Sequence, residues 1–116
     1  MAFSDSVFVR AVNALAVTLM NAPVLGGLLR RGLVELQYVG RRSGKTFQIP
    51  VGYRRDGDTV VVGVNMPEAK QWWRNFLDEG APITFIGLGG QDRTGHAVAI
   101  RDERGRVSVT AFLDTP

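Results

Sequence analysis

Six consecutive residues, Gly40-Arg41-Arg42-Ser43-Gly44-Lys45, place three cations and one hydroxyl around two glycines. Guanidinium forks, an ammonium, a hydroxyl and glycine-freed backbone N–H groups are all hydrogen-bond donors, and none carries negative charge. That set suits a phosphate or a carboxylate. Each charge-assisted hydrogen bond to such a group contributes about 1.5–3 kcal/mol. The segment looks superficially like a nucleotide-binding P-loop. That motif needs four residues between its glycines and a helix after it, whereas here three residues intervene and a strand pattern follows. Nucleotide hydrolysis is therefore rejected, while the anion-binding logic stands.

The flanks show how such a turn is held. Val34, Leu36 and Tyr38 alternate with Glu35 and Gln37 on one side. On the other, Phe47, Ile49, Val51 and Tyr53 alternate with Thr46, Gln48, Pro50 and Gly52. Period-two alternation rich in β-branched and aromatic residues predicts two half-buried strands, so the cationic turn sits at the tip of a hairpin. Between Arg30 and Arg55 seven Arg or Lys residues face one acid, Glu35. This local positive field favours an anionic partner; the alternative is a solvated rim that aids solubility.

At 116 residues the chain is expected to form one domain, 1–116, with an N-terminal helical segment over 1–32 and a barrel over 33–116. Hydrophobic content of 45% and charged content of 22%, with a net charge of +3, are ordinary for a globular protein. With no cysteine there is no disulfide, thiolate nucleophile or Cys-based metal site, and one histidine argues against a His-based zinc site. Ser4-Asp5-Ser6 offers an N-cap to a helix striped by Phe8, Val12, Leu15 and Leu19, broken at Asn21-Ala22-Pro23. A second helical piece, Val24 to Arg31, ends at Gly32. Asn13, Thr18, Asn21 and Pro23 interrupt any membrane span, so this segment reads as an amphipathic cover for a sheet or as a membrane-surface contact.

Farther along, Arg54-Arg55-Asp56-Gly57-Asp58 predicts a turn and Thr59 to Val64 a buried strand. Asn65 and Pro67 start a helix running to about Asp78, with Ala69, Trp73, Phe76 and Leu77 on one face. Ile83 to Ile86 and Thr94 to Ile100 read as strands around the Gly89-Gly90 turn, and Val107 to Leu113 as a strand or the first turns of a helix. The fold class is mainly β (α+β): a split antiparallel β-barrel of about five to six strands, with an N-terminal helix and a helix between strands three and four. The paired carboxylates Asp56/Asp58, Asp78/Glu79 and Asp102/Glu103 read as solvated turns or helix ends, and His96 as structural. Nothing supplies acid–base catalysis alone, so an enzyme built on this chain would rely on a cofactor for the hard step. Trp73 is expected in the core and Trp72 at a pocket wall.

The run G-R-R-S-G-K-x-x-x-x-P-V-x-Y-x-R-D-G-D, followed by a strand and then K-x-W-W-R-N-F, resembles the deazaflavin-dependent nitroreductase family over roughly Leu25 to Ile100. The resemblance implies a split barrel and coenzyme F420, an 8-hydroxy-5-deazaflavin with a phosphate and an oligoglutamate tail. It implies hydride transfer to an electron-poor or lipid-like acceptor such as a quinone or enone. Carried onto this chain, Arg41, Arg42, Ser43 and Gly44, with Lys45, hold the phosphate and tail. Tyr53 and Gly63, Val64 and Asn65 line the ring; Lys70, Trp72 and Arg74 sit near the cofactor mouth. Phe47 stands where members often carry a further basic residue, and Val64-Asn65-Met66-Pro67 replaces a longer glycine-rich loop. The chain stops at Pro116, ahead of the helix and strand that commonly supply substrate-side tyrosines, as in a branch with a lipid-like substrate or a truncated form. The alternatives are a non-catalytic anionic-lipid or membrane-surface module and an FMN-binding barrel. A small-molecule acceptor is expected as partner, with no nucleic acid, with peripheral membrane contact through the N-terminal helix and a homodimer both open, and with a cytoplasmic or membrane-associated location.

Overall fold

The computed structural model describes residues 30–115. Six strands form in order: β1 (Arg30–Val39), β2 (Thr46–Asp56), β3 (Thr59–Val64), β4 (Ala81–Leu88), β5 (Gln91–Arg101) and β6 (Val107–Leu113). They close into a barrel in the order β1-β2-β3-β6-β5-β4, with every neighbouring pair antiparallel. Closure comes from β4 returning to β1, where Glu35 faces Ile86 and Gln37 faces Thr84. The alternation seen in the sequence sets which side chains turn inward. Val34, Leu36 and Tyr38 join Val60, Val62, Phe85, Val109 and Ala111 in one core, and Leu36, Phe85 and Val109 are fully buried there. Burying each large apolar side chain contributes roughly 1.5–3 kcal/mol.

The hairpin is unevenly supported. β2 pairs with β1 from Thr46 to Arg55, but with β3 only from Arg54 to Asp56. Its tip therefore projects past β3 and meets the connection between β3 and β4. That connection is not the expected helix. It consists of two short 3-10 helices, Pro67–Ala69 and Trp72–Phe76, separated by Lys70 in an extended conformation (φ −122°, ψ 147°). The break has a visible cause. Trp73 is buried and its indole N–H donates to the Pro67 carbonyl at 2.9 Å, so a side chain bridges the gap that a continuous helix would fill with backbone bonds. The Arg74 and Arg101 guanidinium carbons lie 4.8 and 5.5 Å from the Trp73 ring centroid, fastening the segment to β5. Gly80 ends it at φ 78°, where a side chain would run into the Ala97 carbonyl.

One further expectation changes, and two that the sequence left open are decided. β1 already begins at Arg30, where a helix end was expected, because Arg30 and Arg31 continue the ladder opposite Arg55 and Arg54. Val107–Leu113 is a strand rather than helical turns, held between β3 and β5. The strand count is six. The expected N-terminal helix lies outside the described residues. Among the described residues, no helix is long and apolar enough to cross a membrane.

Candidate functional site

The turn between β1 and β2 is closed by its own backbone. The Gly40 N–H donates to the Lys45 carbonyl at 2.8 Å, and the Gly44 N–H to the Gly40 carbonyl at 2.9 Å. Gly44 sits at φ 71°, a conformation glycine adopts without strain. The Ser43 hydroxyl oxygen accepts from the Lys45 N–H at 3.2 Å. The Arg41 N–H leaves the turn altogether and donates to Asn75 Oδ1 at 2.8 Å. The N–H groups of Arg42 and Ser43 remain unengaged by the described residues, which leaves two adjacent donors beside the arginines.

Across from the turn stands the second 3-10 helix. Between them opens a cleft of about 420 Å³, within the usual size range for small-molecule sites. Gly40, Arg41, Arg42 and Ser43 form one wall; Gln71, Trp72 and Asn75 form the other; Tyr38 and Phe47 lie at the base. The base is an aromatic layer. Tyr38 stacks on Phe47 at 5.5 Å between centroids, and Phe76 meets Tyr38 and Trp72 edge-on at 6.0 and 6.3 Å. Burial pushes the Tyr38 phenol above its ordinary pKa, so it stays neutral. Among the described residues no ion pair takes Arg41, Arg42 or Lys45; the pairs join Arg93 to Asp58, Arg101 to Glu68 and Arg106 to Asp102. The cleft thus combines a cationic wall, a facing wall of two amides and Trp72, and an aromatic base.

The expected site residues divide by position. Arg41, Arg42, Ser43 and Trp72 come together in the cleft. Gly44 and Lys45 complete the same turn outside its lining. Tyr53 is half-buried beside the core, with its ring edge close over Gly32. Gly63 and Asn65 are exposed on and just after β3, whereas the Val64 side chain is buried in the core. Lys70 is exposed between the two 3-10 helices, and Arg74 lies against Trp73. Tyr38, Gly40, Phe47, Gln71 and Asn75 are cleft residues that the expected set omitted. Phe47 falls two positions after the turn and Asn75 three after Trp72, so spacing from the two motifs was the signal available. The acidic pairs do other work. Asp102, for example, accepts from the N–H groups of Arg104 and Arg106 and from Arg106 Nε, which shapes the β5–β6 turn.

This antiparallel six-strand barrel therefore carries a cleft with cationic side chains along one wall and aromatic rings at its base. A family model described as F420H(2)-dependent quinone reductase matches residues 9–111. A provisionally named F420H(2)-dependent quinone reductase of Mycobacterium tuberculosis is 36% identical over 86 residues, covering 68% of this chain and 71% of that protein. No solved structure matches the chain significantly. The chain belongs to the F420H(2)-dependent quinone reductase family. It is an oxidoreductase that uses coenzyme F420, as the resemblance implied.

Proposed function

We propose that this chain reduces a quinone-class acceptor with reduced coenzyme F420, and that the cleft between the β1–β2 turn and the second 3-10 helix holds the cofactor's phosphate and acidic tail. The observation that carries this reading is the pair Arg41 and Arg42, without carboxylate partners among the described residues, at the lip of a cleft whose floor is aromatic. The residues present fit the group. Two guanidinium forks, the Ser43 hydroxyl and two free amides match phosphate oxygens. The open surface above Gly63, where an added Cβ would touch nothing within 4 Å, leaves room for a flat ring.

Bound in its reduced form, the deazaflavin supplies the hydride. The protein's own contribution is binding and placement. Arg41 and Arg42 neutralise the anionic arm. Trp72 and Phe47 confine it between apolar faces. The neutral Tyr38 phenol adds no negative charge beside that arm. A quinone agrees with the family description, and the exposed Met66 beside Gly63–Asn65 gives an apolar acceptor a surface to lie against.

Fluorescence titration of oxidised F420 tests the reading. The double variant Arg41→Ala/Arg42→Ala should bind at least about tenfold more weakly than wild type, the equivalent of one lost charge-assisted contact. Equal affinities would remove the cleft as the anion site.

A further inference from the structure

Asn75 makes two hydrogen bonds, one to the cationic turn across the cleft and one within its own 3-10 helix. Its Oδ1 accepts from the Arg41 N–H at 2.8 Å, and its Nδ2 donates to the Trp72 carbonyl at 2.7 Å. The first partner belongs to the cationic turn and the second to the facing wall. The amide orientation is fixed by this pairing, because a flipped side chain would set donor against donor and acceptor against acceptor. Outside the strand ladders, this is a direct polar link between turn and wall, spanning 34 residues of sequence.

We infer that Asn75 is a positioning residue for cofactor binding. It holds the cationic turn at a set distance from Trp72 and directs the turn's remaining amides toward the ligand. The inference rests on the functional reading above and adds to it a residue that acts through others. Three features of the turn support it. The hairpin tip lacks a β3 partner, so nothing in the sheet fixes its tilt. Gly40 and Gly44 make it pliable. Satisfying the Arg41 N–H with Asn75 leaves the Arg42 and Ser43 N–H groups as the free pair. Only asparagine supplies an acceptor and a donor at this reach. Aspartate keeps the acceptor but faces a carbonyl with a carboxylate, and glutamine is one methylene too long. Without the link the turn samples other positions, and affinity falls by the fraction of molecules that hold the competent one.

The test combines F420 titration with hydrogen exchange of the ligand-free protein. In wild type the Arg41 amide should exchange markedly more slowly than those of Arg42 and Ser43. In Asn75→Ala it should lose that protection while the barrel amides keep theirs, and melting should fall by no more than about 8 °C. The dissociation constant for oxidised F420 should rise roughly ten- to thirtyfold, the size expected for two lost hydrogen bonds. Asn75→Asp should bind still more weakly at low salt, because it adds a negative charge beside Arg41. Its deficit relative to Asn75→Ala should shrink as salt rises, which a purely structural lesion would not produce. An Arg41 amide as exposed as its neighbours in wild type overturns the inference without any variant needing to fold. So does unchanged F420 affinity in folded Asn75→Ala. Failure of wild type to bind F420 would instead sink the functional reading, and the link would then be judged on the Arg41 amide.

Discussion

Gly40 gives the sharpest view of how packing shapes the cleft. Its φ lies outside the left-handed region, so alanine meets no backbone penalty. The cost comes from its neighbours. A Cβ built at Gly40 falls 2.8 Å from Phe47 Cε2 and 2.9 Å from Ser43 Oγ, against an ordinary contact of 3.4–4 Å. Each group must retreat by roughly half an ångström or more. Phe47 is 41% exposed and is approached at its ring edge, so it can swing outward at little expense. Overpacking costs about 1–3 kcal/mol in a closed core. Here the rigidity gained by replacing glycine, about 0.4–1 kcal/mol, offsets part of a smaller penalty. Net destabilisation should stay near or below about 1 kcal/mol, a melting shift of at most about 8 °C. The site should suffer more. Phe47 leaves its stack on Tyr38, and Ser43 Oγ is pushed from the Lys45 N–H. Gly40→Ala should therefore weaken F420 binding about tenfold, the equivalent of one aromatic contact or hydrogen bond. Gly52→Ala is the control, since its nearest neighbour is the Gly32 carbonyl at 4.0 Å. Fluorescence titration and thermal melting of both variants decide the matter. Wild-type affinity in Gly40→Ala would refute the reasoning.

Gly63→Val should leave the barrel as stable as wild type or more so, because nothing lies within 4 Å of the added Cβ and valine favours strands. It should still weaken F420 binding; a tight-binding Gly63→Val would move the ring elsewhere. Phe85→Ala removes a fully buried ring from the core and should cost about 3–5 kcal/mol, read from denaturant midpoints. A loss under about 1 kcal/mol would contradict the packing described. Burial raises the folded pKa of Tyr38, so its contribution to stability is complete below about pH 10 and disappears as pH climbs through the folded value. Tyr38→Phe cannot ionise and should lose less stability than wild type above about pH 10; parallel pH curves would show that this phenol is not desolvated.

Much of the barrel is readable from the chain because strands announce themselves by parity. Val34-Glu35-Leu36-Gln37-Tyr38 and Phe47 to Tyr53 alternate, and Val34, Leu36, Tyr38, Ile49, Val51 and Tyr53 are found in or against the core, with Phe47 exposed beyond it. Asp56-Gly57 and Gly89-Gly90 mark turns for reasons local to those residues. The segment from Pro67 to Asp78 misleads because Ala69, Trp73, Phe76 and Leu77 satisfy a helical spacing that short 3-10 helices also meet. What decides between them is the Trp73 indole reaching the Pro67 carbonyl, a contact that periodicity does not encode.

The site divides the same way. Charge is a composition signal, so Arg41, Arg42 and Ser43 stand out before any coordinates. Trp72 stands out as an unusual residue beside a second tryptophan. Tyr38 and Phe47 look like ordinary strand positions and reach the cleft only because they face each other across the ladder beside the hairpin tip. Asn75 stands inside the tryptophan motif, but nothing in its type or spacing points to the turn. Its role appears when the turn folds back across 34 residues to meet it.

The most direct measurement is amide chemical-shift mapping of the isotopically labelled protein during titration with oxidised F420. The account predicts the largest changes at Arg41, Arg42, Ser43, Phe47, Trp72 and Asn75, with a second group at Gly63 to Asn65. Saturable binding that leaves the β1–β2 turn unchanged while shifting amides at another part of the barrel would contradict it.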